Sequence, residues 1–390
     1  MEYEALYEET EATLTDLQIR VNEGDSEAMT EMAINGRNII RKRDNALKRW
    51  ESLGYKGAVE KIMNYIDEIE ASNFITVKKR YESGFRLEGL EGYIDYIQKY
   101  VDTYLNLDFN PREVVGDDPY NMDDRSYGNS DVRGPAATHG TFVAGIIAAK
   151  RNNNLGIDGI ADNVQIMALR AIPDGDERDK DVALAIRYAV DNGANIINMS
   201  FGKTYSPNKK FVDEAVKYAE ENNVLLVHAA GNEGKDIDVH RKYPSNLYED
   251  GAWVETWLTV GANSAEANMN LPAIFSNYGI KNVDLFAPGV QVVSTDTGST
   301  YNKMNGTSFS CPVVAGVAAL VLSHYPELTA VQLKEILKES VTLVKKPKKV
   351  YVPGRGKKER EKTKFRKLSN TGGIVNAYAA LELAEKMTAK

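Results

Sequence analysis

Residues 305–316 read Asn-Gly-Thr-Ser-Phe-Ser-Cys-Pro-Val-Val-Ala-Gly, a polar turn that runs directly into an apolar stretch. The small residues before Ser308 predict a turn, and the apolar residues after it predict a buried helix. We expect Pro312 to fall early in this helix, where the first backbone N–H groups have no intrahelical partner. A serine here presents its hydroxyl at the positive end of a helix dipole. The setting suits a nucleophile that forms an oxyanion, although a lone segment of this kind is more typical of a capped buried helix.

A second segment places a histidine at the start of another helix. His139 opens the stretch His-Gly-Thr-Phe-Val-Ala-Gly, and Val143, Ile146 and Ile147 follow at helical spacing. Small residues between them allow close packing that would hold the imidazole in place. Because the ordinary pKa of histidine lies near neutral pH, His139 is a candidate general base. Alone, it would be interpreted as structural, as are the other three histidines, which lie in an apolar run, a polar loop and a helix end: His228, His240 and His324.

The third segment, residues 224–234, ends an apolar run with Ala-Ala-Gly-Asn-Glu-Gly. The pattern predicts a buried strand followed by a turn that presents Asn232. A side-chain amide donates a hydrogen bond without changing its protonation state, so it can stabilise charge that develops in a transition state. Taken alone, the turn is an ordinary one.

The surrounding sequence predicts an α/β fold. Short apolar runs about 30 residues apart predict strands, and amphipathic stretches between them predict helices. Strands that alternate with helices indicate βαβ units and a parallel sheet, with ligands at the carboxyl ends of the strands. The predicted strands are Val164–Ile172, Ala194–Ser200, Val224–Ala229 and Trp257–Val260, and the predicted helices between the first three of them are Asp181–Asp191 and Phe211–Asn222.

The order His, Asn, Ser on such junctions resembles the subtilisin-like serine peptidases (subtilases, peptidase family S8). The resemblance implies a parallel sheet flanked by helices and a serine endopeptidase that hydrolyses peptide bonds through an acyl-enzyme. By resemblance, Ser308 is the nucleophile, His139 the general base and then acid, and Asn232 an oxyanion-hole donor together with the backbone N–H of Ser308. Phe142 and Phe309-Ser310 depart from the usual family residues, at positions without a chemical role.

Two further segments resemble substrate-binding elements of the family. Ser200-Phe201-Gly202 resembles the edge segment to which an extended peptide adds as a strand. Ala230-Gly231-Asn232-Glu233 resembles one wall of the primary specificity pocket. We therefore expect Glu233 to favour a basic or polar substrate side chain. Without the other motifs, the two segments would be interpreted as a strand end and a turn.

One member of the catalytic set is not found in the sequence. The resemblance requires an aspartate that ends an apolar strand upstream of the histidine and precedes Ser/Thr-Gly. Asp296-Thr297-Gly298 matches the residue pattern but falls between the last strand and Ser308, so we interpret it as a chance match and not as the catalytic aspartate. The stretch just before His139 holds seven aspartates that do not match the pattern: Asp102, Asp108, Asp117, Asp118, Asp123, Asp124 and Asp131.

Residues 1–105 read as helical, with apolar side chains on one face and charges on the other. We hypothesise that they are an insertion between the family's aspartate strand and His139, so that residues 106–390 are the peptidase domain. A missing segment or a separate chain would then supply the strand. Without it, neighbouring strands would expose unpaired backbone groups, so we expect poor solubility or oligomerisation of the chain alone.

Composition narrows the functional classes. The net charge of −8 gives no reason to expect nucleic-acid binding, and the longest uncharged apolar stretch, Val313–Leu322, is too short to span a bilayer. No signal peptide begins the sequence. The resemblance nevertheless favours a periplasmic or extracellular location for the complete protein. Cys311 is the single cysteine, which we interpret as a small packing residue.

Two loops and two functional alternatives complete the interpretation. Lys345–Lys367 holds twelve Lys/Arg and two Glu; we interpret it as a mobile surface loop within the domain, in preference to a nucleic-acid or membrane patch. Asn152–Ile157 resembles a calcium-binding loop of some subtilases, so structural calcium is an option, while no cofactor is required.

The alternatives to a peptidase are a non-catalytic protein that binds peptides in the same cleft and a helical interaction module on a degenerate peptidase domain.

Overall fold

The computed structural model describes residues 109–118, 121–134, 137–173, 177–354 and 360–389. From Asn110 onward they belong to one compact unit. The helices predicted within residues 1–105, and two of the candidate aspartates, Asp102 and Asp108, lie outside the described residues. The insertion hypothesis and the boundary at residue 105 therefore stay predictions.

The centre of this unit is a six-stranded sheet. Its strands are β1 (Ile196–Met199), β2 (Leu225–Ala229), β3 (Trp257–Asn263), β4 (Leu285–Pro288), β7 (Thr342–Leu343) and β10 (Gly373–Ile374). Their order across the sheet is β1-β2-β3-β4-β10-β7. Neighbouring strands from β1 through β4 to β10 are parallel, and the edge strand β7 is antiparallel to β10. The structure confirms the parallel sheet and three of the predicted strands.

Helices cover both faces of this sheet, as its buried strands require. Both helices predicted from amphipathic patterns are present, with boundaries shifted by one or two residues. The described helices are α1 (Pro111–Val115), α2 (Thr138–Ala148), α3 (Asp179–Asp191), α4 (Lys209–Glu221), α5 (Thr307–His324), α6 (Ala330–Glu339) and α7 (Ala377–Thr388).

Alternate residues of β2 point into two separate cores. Leu225 and Val227 belong to the core formed with α5, α6 and α7, whereas Leu226 packs with Trp257 against α3 and α4. The apolar helix α5 is therefore central to one layer. Among the described helices it has the length and hydropathy of a membrane span, but 61% of it is buried inside the protein, as in the core helix of a layered fold.

The strand predicted for Val164–Ile172 is wrong. The described chain has no regular secondary structure at these residues, and the apolar Ile166, Met167 and Leu169 are 46%, 40% and 37% exposed. A strand requires a hydrogen-bonded neighbour. Within the described residues β1 ends the sheet and pairs only with β2, and this segment does not pair with the free edge of β1.

The interpretation of Lys345–Lys367 as a mobile surface loop also needs correction. β8 (Val350–Tyr351) pairs antiparallel with β9 (Lys362–Thr363), and the N–H of Tyr351 donates to the carbonyl of Met269 at 2.8 Å. Val350 and Phe365 are buried. Apolar residues placed among the basic ones therefore anchor both ends of the segment in the fold.

A second hairpin, β5 (Val292–Asp296) with β6 (Thr300–Met304), holds the start of α2. The hydroxyl of Ser294 donates to the carbonyl of Phe142 at 2.7 Å, and that of Thr295 donates to the carbonyl of Thr141 at 3.0 Å. These bonds fix the first turn of α2, which carries His139.

Candidate active site

Ser308 lies in the first turn of α5 and is tied to the end of β1 by two reciprocal hydrogen bonds. Its hydroxyl donates to the carbonyl of Ser200 at 3.1 Å, and the hydroxyl of Ser200 donates to the carbonyl of Ser308 at 2.7 Å. Pro312 stands inside α5, four residues after Ser308, so it removes the N–H that would bond this carbonyl. The expectation that Pro312 falls among the first helical residues, whose N–H groups have no intrahelical partner, is therefore wrong, and Ser200 supplies the replacement donor.

Asn232 lies on the turn that follows β2, with its amide oriented by Thr307. Its Oδ1 accepts hydrogen bonds from the backbone N–H of Thr307 at 2.9 Å and from the Thr307 hydroxyl at 3.0 Å. The Thr307 hydroxyl in turn accepts from the N–H of Gly231 at 3.1 Å. Because two donors face Oδ1, the amide nitrogen of Asn232 is turned away from them, and it lies 3.7 Å from the position of a Cβ on Gly306.

His139 lies at the start of α2, against the residue that follows Ser308. Its ring centroid is 5.7 Å from that of Phe309, and Phe309 packs against Phe142 at 4.6 Å. His139 is exposed at the surface, yet desolvation by the surrounding protein lowers the pKa of its imidazole. The neutral form, which acts as a base, therefore predominates near neutral pH.

The structure brings the His139, Asn232 and Ser308 segments together around residues 307–309, although they are far apart in sequence. The Ser308 hydroxyl donates to the carbonyl of Ser200 and not to His139. Catalytic hydrogen bonds are often loose before substrate binds, so the arrangement is compatible with transfer of the Ser308 proton to His139.

Two of the aspartates considered from sequence, Asp117 and Asp296, have other partners. Asp117 is fully buried as a side chain and binds Arg112 and Lys180. Burial alone would raise the pKa of Asp117, but these two cations lower it. Asp296 accepts from the N–H of Thr297 at 2.7 Å and from the amide of Asn302 at 3.1 Å.

A carboxylate hydrogen-bonded to His139 is thus not found among the described residues. The ion cluster around Asp117 has no local sequence signal, because Lys180 lies 63 residues further along the chain. Sequence reasoning accordingly missed it.

Glu177, which the sequence did not single out, lies against the proposed substrate edge. Its carboxylate accepts a hydrogen bond from the N–H of Gly202 at 3.0 Å, and it is 9% exposed. Next to Gly202, the backbones of Lys203 and Tyr243 exchange hydrogen bonds of 2.9 and 2.8 Å. The chain around Tyr243 therefore lies beside the segment Ser200-Phe201-Gly202.

Glu233 carries no free carboxylate. Its Oε1 accepts from the ammonium of Lys242 at 2.9 Å, and its Oε2 accepts from the amide of Asn277 at 2.6 Å. Burial alone would raise the pKa of Glu233, but Lys242 and the hydrogen bonds lower it. The expectation that Glu233 would favour a basic or polar substrate side chain assumed a free carboxylate, whereas Lys242 already neutralises its charge.

His228 and Cys311 are buried, as expected of structural residues, and Asn153 binds its own loop. His228 is 2% exposed in β2, and burial lowers its pKa to about 3. Cys311 is buried in α5, and burial raises its pKa to about 12. In the loop Asn152–Ile157, Oδ1 of Asn153 accepts from the N–H of Leu155 at 2.9 Å. Within the described residues, no group of three His, Cys, Asp or Glu could hold a metal ion.

A parallel α/β sheet with a serine at a helix start, a histidine on a neighbouring helix start and an oriented amide defines the subtilisin-like class. A model of the Subtilase family matches residues 60–371. The chain therefore belongs to the Subtilase family, whose serine peptidase fold the sequence motifs predicted.

Individual relatives agree with this assignment. The chain is 39% identical over 222 residues to a thermophilic serine proteinase of Bacillus sp. (strain AK1), covering 57% of this chain and 50% of the relative. It is 34% identical over 244 residues to subtilisin DY of Bacillus licheniformis, covering 62% of this chain and 82% of the relative. The chain thus spans about half the length of the Bacillus AK1 proteinase.

A solved structure matches as well. A protease structure from Pseudoalteromonas arctica PAMC 21717 superposes with a TM-score of 0.51 at 28% identity, covering 63% of this chain and 70% of the other.

Proposed function

We propose that this chain is a serine endopeptidase that cleaves polypeptides through an acyl-enzyme on Ser308. The observation that carries the proposal is the pair of hydrogen bonds from Thr307 to Oδ1 of Asn232, at 2.9 and 3.0 Å. They leave the amide nitrogen of Asn232 as a donor near Gly306, where an added Cβ would lie 3.7 Å from it, at the start of the turn into Ser308. An amide oriented in this way serves to stabilise an oxyanion.

In the proposed reaction the oxygen of Ser308 attacks the scissile carbonyl while His139 takes the hydroxyl proton. The carbonyl oxygen becomes an oxyanion and accepts hydrogen bonds from Asn232 and from the N–H of Ser308. His139 then returns the proton to the leaving amine, and water releases the acyl group by the same steps. The lowered pKa of His139 keeps its base form available near neutral pH.

The proposed substrate is an extended peptide that adds to the edge segment Ser200-Phe201-Gly202. The side chain before the scissile bond would lie between this segment and Ala230-Gly231-Asn232-Glu233. Gly231 adopts a φ of +101°, which favours glycine and sets the turn that carries Asn232.

We further propose that the carboxylate that orients His139 comes from a strand outside the described residues, either in this protein or in a separate chain. The edge of β1 and the exposed Ile166, Met167 and Leu169 support the proposal, since β1 ends the described sheet and these side chains leave apolar surface uncovered. A parallel strand added at β1 would pair with its free edge and cover apolar surface.

Structural calcium at Asn152–Ile157 and a periplasmic or extracellular location remain proposals that rest on the family resemblance. Both can be checked directly: calcium by a rise in the unfolding temperature on adding the ion, and location by fractionation of the source cells. Unchanged stability in calcium, or recovery of the protein in the cytoplasm, would contradict them.

Labelling with a fluorophosphonate probe tests the proposal. Without the carboxylate, turnover in this family falls by about 10⁴-fold, so stoichiometric labelling is a more sensitive readout than hydrolysis. We expect one phosphonyl group on Ser308, and loss of labelling in Ser308→Ala and His139→Ala. Ser323→Ala, on the same helix, is the matched control and should be labelled like the wild type. Folded protein that takes up no probe would favour a non-catalytic peptide-binding protein.

A further inference from the structure

The primary pocket contains an ion pair that belongs to the protein itself. Lys242 and Glu233 are joined at 2.9 Å, and their side chains are 9% and 28% exposed. Both pack against the α-carbon of Gly231, where an added Cβ would lie 2.7 Å from Oε2 of Glu233 and 3.4 Å from Cε of Lys242. The pair therefore sits on the wall formed by Ala230-Gly231-Asn232-Glu233.

Lys242 also connects the two walls of the pocket. The next residue, Tyr243, exchanges backbone hydrogen bonds with Lys203, which follows the edge segment. The carbonyl of Tyr243 would lie 3.3 Å from a Cβ on Gly202. The side chain of Lys242 thus contacts Glu233, while the backbone of the next residue lies against the edge segment.

The two charged groups differ in spare hydrogen-bonding capacity. Both carboxylate oxygens of Glu233 are occupied, one by Lys242 and the other by Asn277. The ammonium of Lys242 has three donors, and among the described residues it uses one, on Glu233. A ligand can therefore gain a hydrogen bond from Lys242, whereas a cationic ligand would have to displace Lys242 or Asn277 from Glu233.

We propose that Lys242 determines specificity in the primary pocket: it selects peptides with Glu or Gln before the scissile bond and disfavours Lys and Arg. A substrate oxygen would accept from the free donors of Lys242. A substrate cation would lie beside that ammonium, in a site where little water screens the repulsion. The inference rests on the proposed peptidase function, since it names the substrate class of the same cleft.

Peptides that differ only in the residue before the scissile bond provide the test, with Glu, Gln, Leu, Lys and Arg compared by kcat/KM. For the wild type we expect Glu and Gln to exceed Lys and Arg by about tenfold or more, the equivalent of about 1.4 kcal/mol. Lys242→Met should reverse the Glu/Lys ratio, because the carboxylate of Glu233 becomes free. Glu233→Gln should increase the ratio, and the double variant should respond to neither charge.

Lys217→Met is the matched control, since it removes a cation from an exposed position on α4 and should leave the ranking unchanged. Equal or better cleavage after Lys by the wild type, or a ratio that Lys242→Met does not move, would overturn the inference. If Lys242→Met does not fold, the Glu233→Gln series still decides, because a fall or no change in its Glu/Lys ratio overturns the inference.

Binding separates this inference from the peptidase proposal. The same five side chains at the carboxyl end of product peptides can be ranked by calorimetry on Ser308→Ala protein, which needs no turnover. If no peptide is cleaved but Glu and Gln products bind about tenfold more tightly than Lys, the peptidase proposal fails and the pocket inference stands. The opposite order, or no discrimination in binding, overturns the pocket inference alone.

Discussion

Replacement of Ser200 by alanine tests the link between Pro312 and the nucleophile. The hydroxyl of Ser200 is the 2.7 Å donor to the carbonyl of Ser308, which Pro312 deprives of its helical N–H. Ser200 is 8% exposed, so the carbonyl would be left without a partner in a largely buried site. We expect Ser200→Ala to lower the free energy of unfolding by about 1–3 kcal/mol.

Two control variants isolate the cause. Ser323→Ala removes a 2.8 Å bond to the carbonyl of Leu320 on the same helix, but α5 continues to His324 and supplies a backbone donor, so we expect about 0.5 kcal/mol or less. In a Pro312→Ala background residue 312 can donate to Ser308, and Ser200→Ala should then cost about 1 kcal/mol or less.

Urea unfolding measures these differences in the free energy of unfolding. The proteins compared are the wild type, Ser200→Ala, Pro312→Ala, the double variant and the control Ser323→Ala. A loss for Ser200→Ala no larger than for Ser323→Ala, or an equal loss with and without Pro312, would refute the reasoning. The rate of fluorophosphonate labelling should also fall in Ser200→Ala, because Ser200 fixes the turn that presents Ser308.

Three further perturbations concern the cleft. Asn232→Ala should reduce the labelling rate or kcat by about 10²–10³, the loss measured for such a donor in subtilisin itself; a loss below about tenfold would remove Asn232 from the oxyanion site. Since desolvation lowers the pKa of His139 from 6.5, and only the neutral ring is a base, the acid limb of the labelling rate should have its midpoint below pH 6.5; a midpoint above it would contradict this environment. Glu177→Ala should free the N–H of Gly202 and lower KM for extended peptides by up to about tenfold, with less change in Glu177→Gln, which keeps an acceptor oxygen. An unchanged or higher KM would show that Glu177 does not compete with substrate.

Local sequence patterns were sufficient for the elements that carry the candidate site. The run before Asn232 and the apolar residues after Ser308 specify a buried strand and a buried helix through neighbours in the chain, and both are present as β2 and α5. The same holds for α2 and His139. In each case the chemically important residue stands at the junction, where the backbone changes direction.

Contacts between distant segments could not be predicted in this way. Ser200 and Ser308 are 108 residues apart, and the donor that replaces the N–H missing at Pro312 is visible only in three dimensions. Val164–Ile172 has the composition of a strand, but composition does not provide a neighbouring strand. Glu233 similarly reads as a free carboxylate until Lys242 is placed beside it.

The most direct test of the central claim is a crystal structure of the protein after reaction with a fluorophosphonate. We predict phosphorus bonded to Oγ of Ser308, a phosphoryl oxygen within hydrogen-bond distance of the Asn232 amide nitrogen, and the imidazole of His139 beside the same group. Phosphorus on another residue, or an adduct on Ser308 with Asn232 or His139 turned away from it, would contradict the proposed site.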